Sequence, residues 1–163
     1  MEVVNKMKEL YKNHTFYFAY GMNTNHREMR LRCPESLFIG ISNLSGYKLS
    51  FQHVADYTRE EGATLLGALW LISDKDEKEL DRLEGFPNFY NKHIRKVEFM
   101  GSELNAMVYQ MVEMDNISPP SSSYKNCLQE GYMESGIKIS QLNKALDYCE
   151  NYHKNVLRRK YND

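Results

Sequence analysis

The sequence predicts one α+β domain, and three observations carry that prediction. An aromatic run, Phe16-Tyr17-Phe18-Ala19-Tyr20, stops abruptly at Gly21 and gives way to a polar, helix-starting segment. A nearly continuous apolar run from Ala63 to Ile72 has the length of a strand buried on both faces and belongs centrally in a sheet. Around these two runs lie segments patterned as strand pairs and as amphipathic helices. A chain of 163 residues buries roughly 70% of the surface its unfolded form exposes, which is enough for one real core.

The elements follow in order. Val3, Met7, Leu10 and Tyr11 share a helical stripe, so residues 1–14 read as a helical extension covering part of the core. The stretch Phe16 to Asn23 reads as a strand feeding a binding loop: Phe16, Tyr17, Phe18 and Tyr20 are strong strand formers, and Gly21 lets backbone or a ligand come close. Asn23 or Thr24 caps a helix through about Arg32, which Pro34 ends. Such a junction aims backbone N–H groups at one point, which suits a carboxylate, a phosphate or a developing oxyanion. The same residues also suit an ordinary core strand with a tight turn.

Leu37 to Ile41 and Tyr47 to Phe51 read as a hairpin turning at Asn43-Leu44-Ser45-Gly46, and the polar segment His53 to Gly62 reads as a loop over the site. After the central run, Ser73 is placed to cap a helix over Asp74 to Glu84, with Asp76 three residues on and Gly85 and Pro87 at its end. Phe89 to Phe99 and Leu104 to Val112 form a second strand pair turning at Gly101-Ser102. Asp115 to Ser123, with Pro119, Pro120 and three serines, is the linker-like stretch. Helices near Tyr124 to Glu134 and Ser140 to Leu157 close the chain, the last within residues 138–163, where Leu142, Leu146, Cys149, His153 and Val156 repeat at helical spacing.

Composition narrows the function. Twenty-one Lys and Arg against 22 Asp and Glu leave a formal net charge of −1, so no field gathers nucleic acid or an anionic membrane, and the expected partner is a small molecule. The basic cluster Lys154, Arg158, Arg159, Lys160 reads as a solvated helix end. Cys33, Cys127 and Cys149 form no C-x-x-C pair and suggest reduced thiols in a cytoplasmic protein. His14, His26, His53, His93 and His153 show no metal-binding spacing, and no window has the apolar length of a signal peptide or membrane span. No metal is expected, and the sequence fits either a monomer or a homodimer.

Glu84 is the candidate catalytic residue. It stands in the last turn of its predicted helix, where unpaired carbonyls make a negative charge unfavourable. It follows Leu80 by four residues, so if Leu80 and Leu83 pack on the sheet its carboxylate is carried inward. Burial and the helix end both raise the pKa of such a group and suit it to general acid–base work. The alternative is a solvated glutamate beside a C-cap glycine. Weaker candidates are a His53–Asp56 pair, Cys33 as a nucleophile, and Tyr90, Tyr109 and Tyr124 as pocket-lining hydroxyls or as plain core.

These pieces resemble the γ-glutamylcyclotransferase (AIG2-like) family. Phe16-Tyr17-Phe18-Ala19-Tyr20-Gly21-Met22-Asn23 is similar to the family's Y-F-A-Y-G-S-N substrate loop, and Leu80-Asp81-Arg82-Leu83-Glu84-Gly85 followed by Tyr90 to its L-D-x-x-E-G…Y helix. Ala106-Met107-Val108-Tyr109 resembles a strand that supplies a binding tyrosine, and Pro119-Pro120-Ser121 to Tyr124-Lys125 a P-P-S-x-x-Y-K segment. The resemblance implies a small mixed sheet curled into a barrel flanked by helices. It also implies cofactor-free cyclisation of an L-γ-glutamyl compound to 5-oxoproline, with Glu84 as acid–base. Substrate contacts are implied for Tyr17, Phe18, Ala19, Tyr20, Gly21, Met22, Asn23, Tyr90, Tyr109 and Tyr124. Met22 stands where the family usually has Ser, which removes a hydroxyl and adds bulk. The alternatives are a cyclotransferase for a larger γ-glutamylated amine and a catalytically silent module that binds a small ligand in the same pocket.

Overall fold

Strand β1 (His14–Ala19) points Phe16 and Phe18 to one face and Tyr17 and Ala19 to the other, as the two-residue period of a strand requires. The two faces feed two separate apolar clusters. In the computed structural model, which describes residues 1–113 and 116–161, β1 is joined by β2 (Leu37–Gln52), β3 (Val54–Ser73), β4 (Tyr90–Phe99) and β5 (Ser102–Met111). These strands close into a barrel in the order β1-β3-β2-β4-β5, and β5 meets β1 in parallel at Met107 and Tyr17. The other strand pairings among the described residues are antiparallel. The helices are α1 (Glu2–Leu10), α2 (His26–Arg32), α3 (Asp74–Glu84), α4 (Ser122–Ser135) and α5 (Ile139–Tyr161). The fold is therefore the mixed α+β barrel that the resemblance implies.

The Ala63–Ile72 run lies between β1 and β2, and its Leu65, Ala68, Leu69 and Ile72 are fully buried. It is one part of β3, a strand of 20 residues. Two expected breaks are absent. Asn43 to Ser45 do not turn; they pair with Leu66, Leu65 and Thr64, and Leu44 is buried. Gly46, at φ 83°, sits instead in a register shift between Ser45 and Tyr47, so the Asn-Ser-Gly signal marks a bulge within one strand. Nor is His53 to Gly62 a loop. The chain reverses at His53 (φ 64°), and Val54 to Arg59 pair with Gln52 back to Tyr47. Ala55, Asp56 and Tyr57 are buried while Arg59, Glu60 and Glu61 face solvent, so the polarity is that of a half-exposed strand.

Helix boundaries follow their caps. Ser73 caps α3 by accepting from the Asp76 N–H at 3.1 Å, and Gly85 ends the helix in the left-handed conformation (φ 63°). The cap of α2 is Asn25, neither Asn23 nor Thr24: its Oδ1 accepts from the Arg27 and Glu28 N–H groups at 3.1 and 3.2 Å. Asn23 and Thr24 belong to the preceding 3-10 turn, Met22–Thr24. Val4 and Met7 of α1 and Tyr11 just after it pack on the core, whereas Val3 and Leu10 are exposed. In the proline- and serine-rich stretch, Asp115 lies outside the described residues, Ser118 bridges to Gln52, and Ser121 caps α4, so Ser122 and Ser123 are helical. Leu142, Leu146 and Cys149 of α5 are buried; His153 is exposed, because the helix has by then run past the barrel core. No helix among the described residues is long and apolar enough to cross a membrane.

Candidate active site

The 3-10 turn after β1, the start of β3 and the end of α3 meet around a cavity of about 290 Å³. The turn is held from several sides. Its own bonds run from the Thr24 and Asn25 N–H groups to the Gly21 and Met22 carbonyls, both at 3.0 Å. The Trp70 indole N–H donates to the Asn23 carbonyl at 3.0 Å, and the Tyr132 hydroxyl of α4 donates to the Tyr20 carbonyl at 3.2 Å. Asn25 Nδ2 ties the cap to α4 through the Cys127 carbonyl and the Glu130 carboxylate, each at 3.1 Å. Buried groups bonded from so many directions keep one geometry.

Within the cavity a side-chain chain runs from α2 to α3. Arg32 donates to Asn23 Oδ1 at 3.0 Å, which orients the amide so that Nδ2 faces the Tyr17 hydroxyl at 2.9 Å and Glu84 Oε1 at 3.4 Å. The second Arg32 nitrogen lies 2.8 Å from Met22 Sδ. Asn23, Tyr17, Tyr20, Tyr90 and Tyr109 are buried, and Glu84 and Tyr124 half-buried. Burial pushes the Glu84 carboxyl above the ordinary carboxylate range, and the Arg32 charge and the Asn23 amide pull the other way. Burial raises the Tyr17, Tyr90 and Tyr109 hydroxyls as well, and pushes Tyr124 up to about 12, so the tyrosines are neutral at physiological pH.

Most of the residues singled out in the sequence converge here: Tyr17, Tyr20, Gly21, Met22, Asn23, Glu84, Tyr90, Tyr109 and Tyr124 all line the cavity. Phe18 and Ala19 do not. Phe18 points to the opposite face of β1, fully buried against Gly67, and Ala19 is packed beneath the site with Ala68 and Met29. Leu83 lines the mouth and is 41% exposed, so of the two leucines Leu80 is the one buried in the core. His53 and Asp56 form no pair: His53 is exposed, and Asp56 is buried, accepting from the Met111 N–H and from Gln52, both at 3.1 Å. Cys33 is buried with its thiol pushed up to about 12 by desolvation, which leaves it inert as a nucleophile.

Sequence reasoning missed Arg32, Val54, Ala55 and Phe89. Arg32 looks like any cation in a last helical turn, and Val54 and Ala55 fall in the stretch expected to be a loop. Because Arg32 is the stronger of the two influences holding the Glu84 carboxyl down, Arg32→Met should raise its titration midpoint further. Carbon NMR of labelled glutamate side chains reads this directly; an unmoved midpoint would show that the guanidinium does not act on Glu84.

The family model described as Gamma-glutamyl cyclotransferase, AIG2-like, matches residues 17–126. A gamma-glutamylcyclotransferase of Bos taurus is 25% identical over 161 residues, covering 90% of this chain and 85% of the bovine protein. A solved gamma-glutamyl cyclotransferase is similar with a TM-score of 0.73 and 26% identity, over 81% of this chain and 86% of that one. An uncharacterized protein from Homo sapiens gives a TM-score of 0.70 and 26% identity, over 85% and 86% of the two chains. The matched span holds the turn after β1, all of α3 with Glu84, and the tyrosines at 90, 109 and 124, and the chain belongs to the gamma-glutamyl cyclotransferase, AIG2-like family.

Proposed function

We propose that the protein is a γ-glutamyl cyclotransferase that converts an L-γ-glutamyl amino acid or amine into 5-oxoproline and the free amine. The observation that carries this reading is a single carboxylate, Glu84, whose pKa burial raises, lining the cavity beside a backbone turn held by hydrogen bonds. Glu84 takes a proton from the substrate's α-ammonium group. The freed amine attacks the γ-carbonyl carbon of the same molecule and forms a five-membered ring. The backbone N–H groups of Tyr20 to Asn23 face the oxygen as it gains charge. The amide C–N bond then breaks, the oxygen returns to a carbonyl, and Glu84 delivers its proton to the leaving amine. The ring nitrogen passes its second proton by way of Glu84 to the same amine, which departs as the ammonium ion. Nucleophile and electrophile belong to one molecule, so the protein's task is to hold the reactive conformer and carry protons from the attacking nitrogen to the leaving one.

The test is incubation of the purified protein with γ-glutamyl amino acids, γ-glutamyl amines and glutathione, with 5-oxoproline followed by mass spectrometry. Product from one class names the leaving amine; no product from any member defeats the reading. A second reading, a silent binder, is favoured by one observation: Met22 fills the position of the family's usual Ser and touches Arg32. It predicts thermal stabilisation by a γ-glutamyl compound without product, and Met22→Ser would then be the variant that gains turnover.

A further inference from the structure

We propose that Asp81 is a positioning residue that makes Tyr109 an obligate hydrogen-bond acceptor for the α-ammonium group of the substrate. The inference rests on the γ-glutamyl reading of the site and adds how the amino end is recognised. A tyrosine hydroxyl has one proton to give and lone pairs to receive, so its fixed partners decide what it can offer a ligand. Tyr20 and Tyr90 must donate, because their partners are the carbonyls of Tyr109 (2.6 Å) and Ala55 (2.7 Å). Tyr109 donates to Asp81 Oδ1 at 2.6 Å, the short distance of a charge-assisted bond. With their protons committed, these three present only lone pairs.

Asp81 is held in place by its other oxygen. Oδ2 accepts from Lys92 Nζ at 2.9 Å, and Lys92 is the cross-strand partner of Tyr109 in the β4–β5 pair. One carboxylate is thus gripped at both oxygens by neighbouring strands. Lys92 is itself held, bonded to Glu77 at 2.9 Å and lying 4.5 Å from the centre of the Phe86 ring.

Two other tyrosines have the opposite polarity. Tyr124 accepts the Ala55 N–H at 3.0 Å. Tyr17 accepts the Asn23 amide, whose orientation Arg32 fixes. Both retain a proton to donate. The cavity therefore divides into acceptors, which suit an ammonium group with three donors and no lone pair, and donors, which suit a carbonyl or carboxylate. Among the acceptors, only Tyr109 has its direction set by a side chain, and that side chain is Asp81.

The plainer role for Asp81 is to anchor α3, and a pair of ligands separates the two. The experiment compares a γ-glutamyl amide, as substrate, with the glutaryl amide of the same amine, which lacks only the ammonium group, as competitive inhibitor. In Tyr109→Phe and in Asp81→Asn, KM for the γ-glutamyl amide should rise about tenfold, the scale of one hydrogen bond to a charged group, while Ki for the glutaryl amide stays within about twofold of wild type, far less than such a bond contributes. Parallel loss of both ligands would assign Asp81 a purely structural role and overturn the inference, as would a KM that does not move. If wild type turns over no γ-glutamyl amide at all, the parent reading fails first and this inference falls with it.

Discussion

Glu84→Gln is expected to lower turnover by about 10²–10⁴-fold, the usual contribution of a general acid–base group, while leaving the protein folded. Glutamine keeps the shape of the side chain and can still accept the Asn23 amide at its carbonyl, but it cannot carry a proton from ammonium to leaving amine. The stability effect has a definite sign. Burial raises the folded-state pKa of this carboxyl above its ordinary value of 4.5. Its contribution to stability is therefore full below 4.5 and is lost as pH climbs through the raised value. Above that raised value the wild type holds an ionised carboxylate that the fold disfavours, so there the glutamine variant should melt no lower than wild type.

The same ionisation governs the rate in the opposite sense. Only the carboxylate can accept a proton, so kcat/KM should rise with pH along a limb centred above the ordinary glutamate range and flatten beyond it. In any residual activity of Glu84→Gln that limb should be missing. A variant with near-wild-type rate would remove Glu84 from the chemistry.

The second large effect is expected at Gly131, within α4. By helix propensity alone, alanine there would stabilise by about 1 kcal/mol. Packing reverses this. A Cβ at Gly131 would stand 2.5 Å from Thr24 Oγ1, 2.6 Å from the Asn25 nitrogen and 2.8 Å from the Thr24 carbonyl carbon. Two of those atoms are backbone of the turn that shapes the site and cannot rotate away. Overpacking of this kind costs about 1–3 kcal/mol, and each kcal/mol lowers the melting temperature of a chain this size by about 2–4 °C. Gly131→Ala should thus melt several degrees lower and lose activity through displacement of the Gly21–Asn25 segment. Calorimetry and the rate assay check both; an unchanged melting temperature would mean that α4 can move away from the turn without cost.

Local chemistry was the legible part of this chain. Ser73, Asp76 and Gly85 set the bounds of α3 residue by residue, because caps act over three or four positions. The Ala63–Ile72 run announced a central strand because only burial on both faces tolerates so continuous an apolar stretch. Asn43 to Gly46 misled because the residues that suit a turn also suit a bulge, and which forms depends on a partner strand some 20 residues away in sequence. His53 to Gly62 misled because an exposed strand edge and a loop share the same polarity.

The site divides in the same way. Glu84 was visible as a charge at the wrong end of a helix, and the motif-bearing turn after β1 was visible as an aromatic strand ending at glycine. Phe18 was separable from Tyr17 in principle, since neighbours on a strand face opposite ways; Ala19 shares the Tyr17 face and is packed beneath the site in a way the strand period does not reveal. The partners that tune the site were not legible: Arg32 of α2 folds back on Asn23 of the preceding turn, and the Lys92–Asp81–Tyr109 chain requires α3 to dock on the β4–β5 pair.

The most direct test of cyclisation is to run the reaction of the active γ-glutamyl amide in water enriched in oxygen-18 and weigh the products. Intramolecular attack by nitrogen brings in no water, so the account predicts unlabelled 5-oxoproline in equal amount to the released amine. Glutamate carrying the heavy oxygen would show hydrolysis, and the γ-glutamyl group found on another amine would show transfer; either result would contradict cyclisation as the reaction of this site.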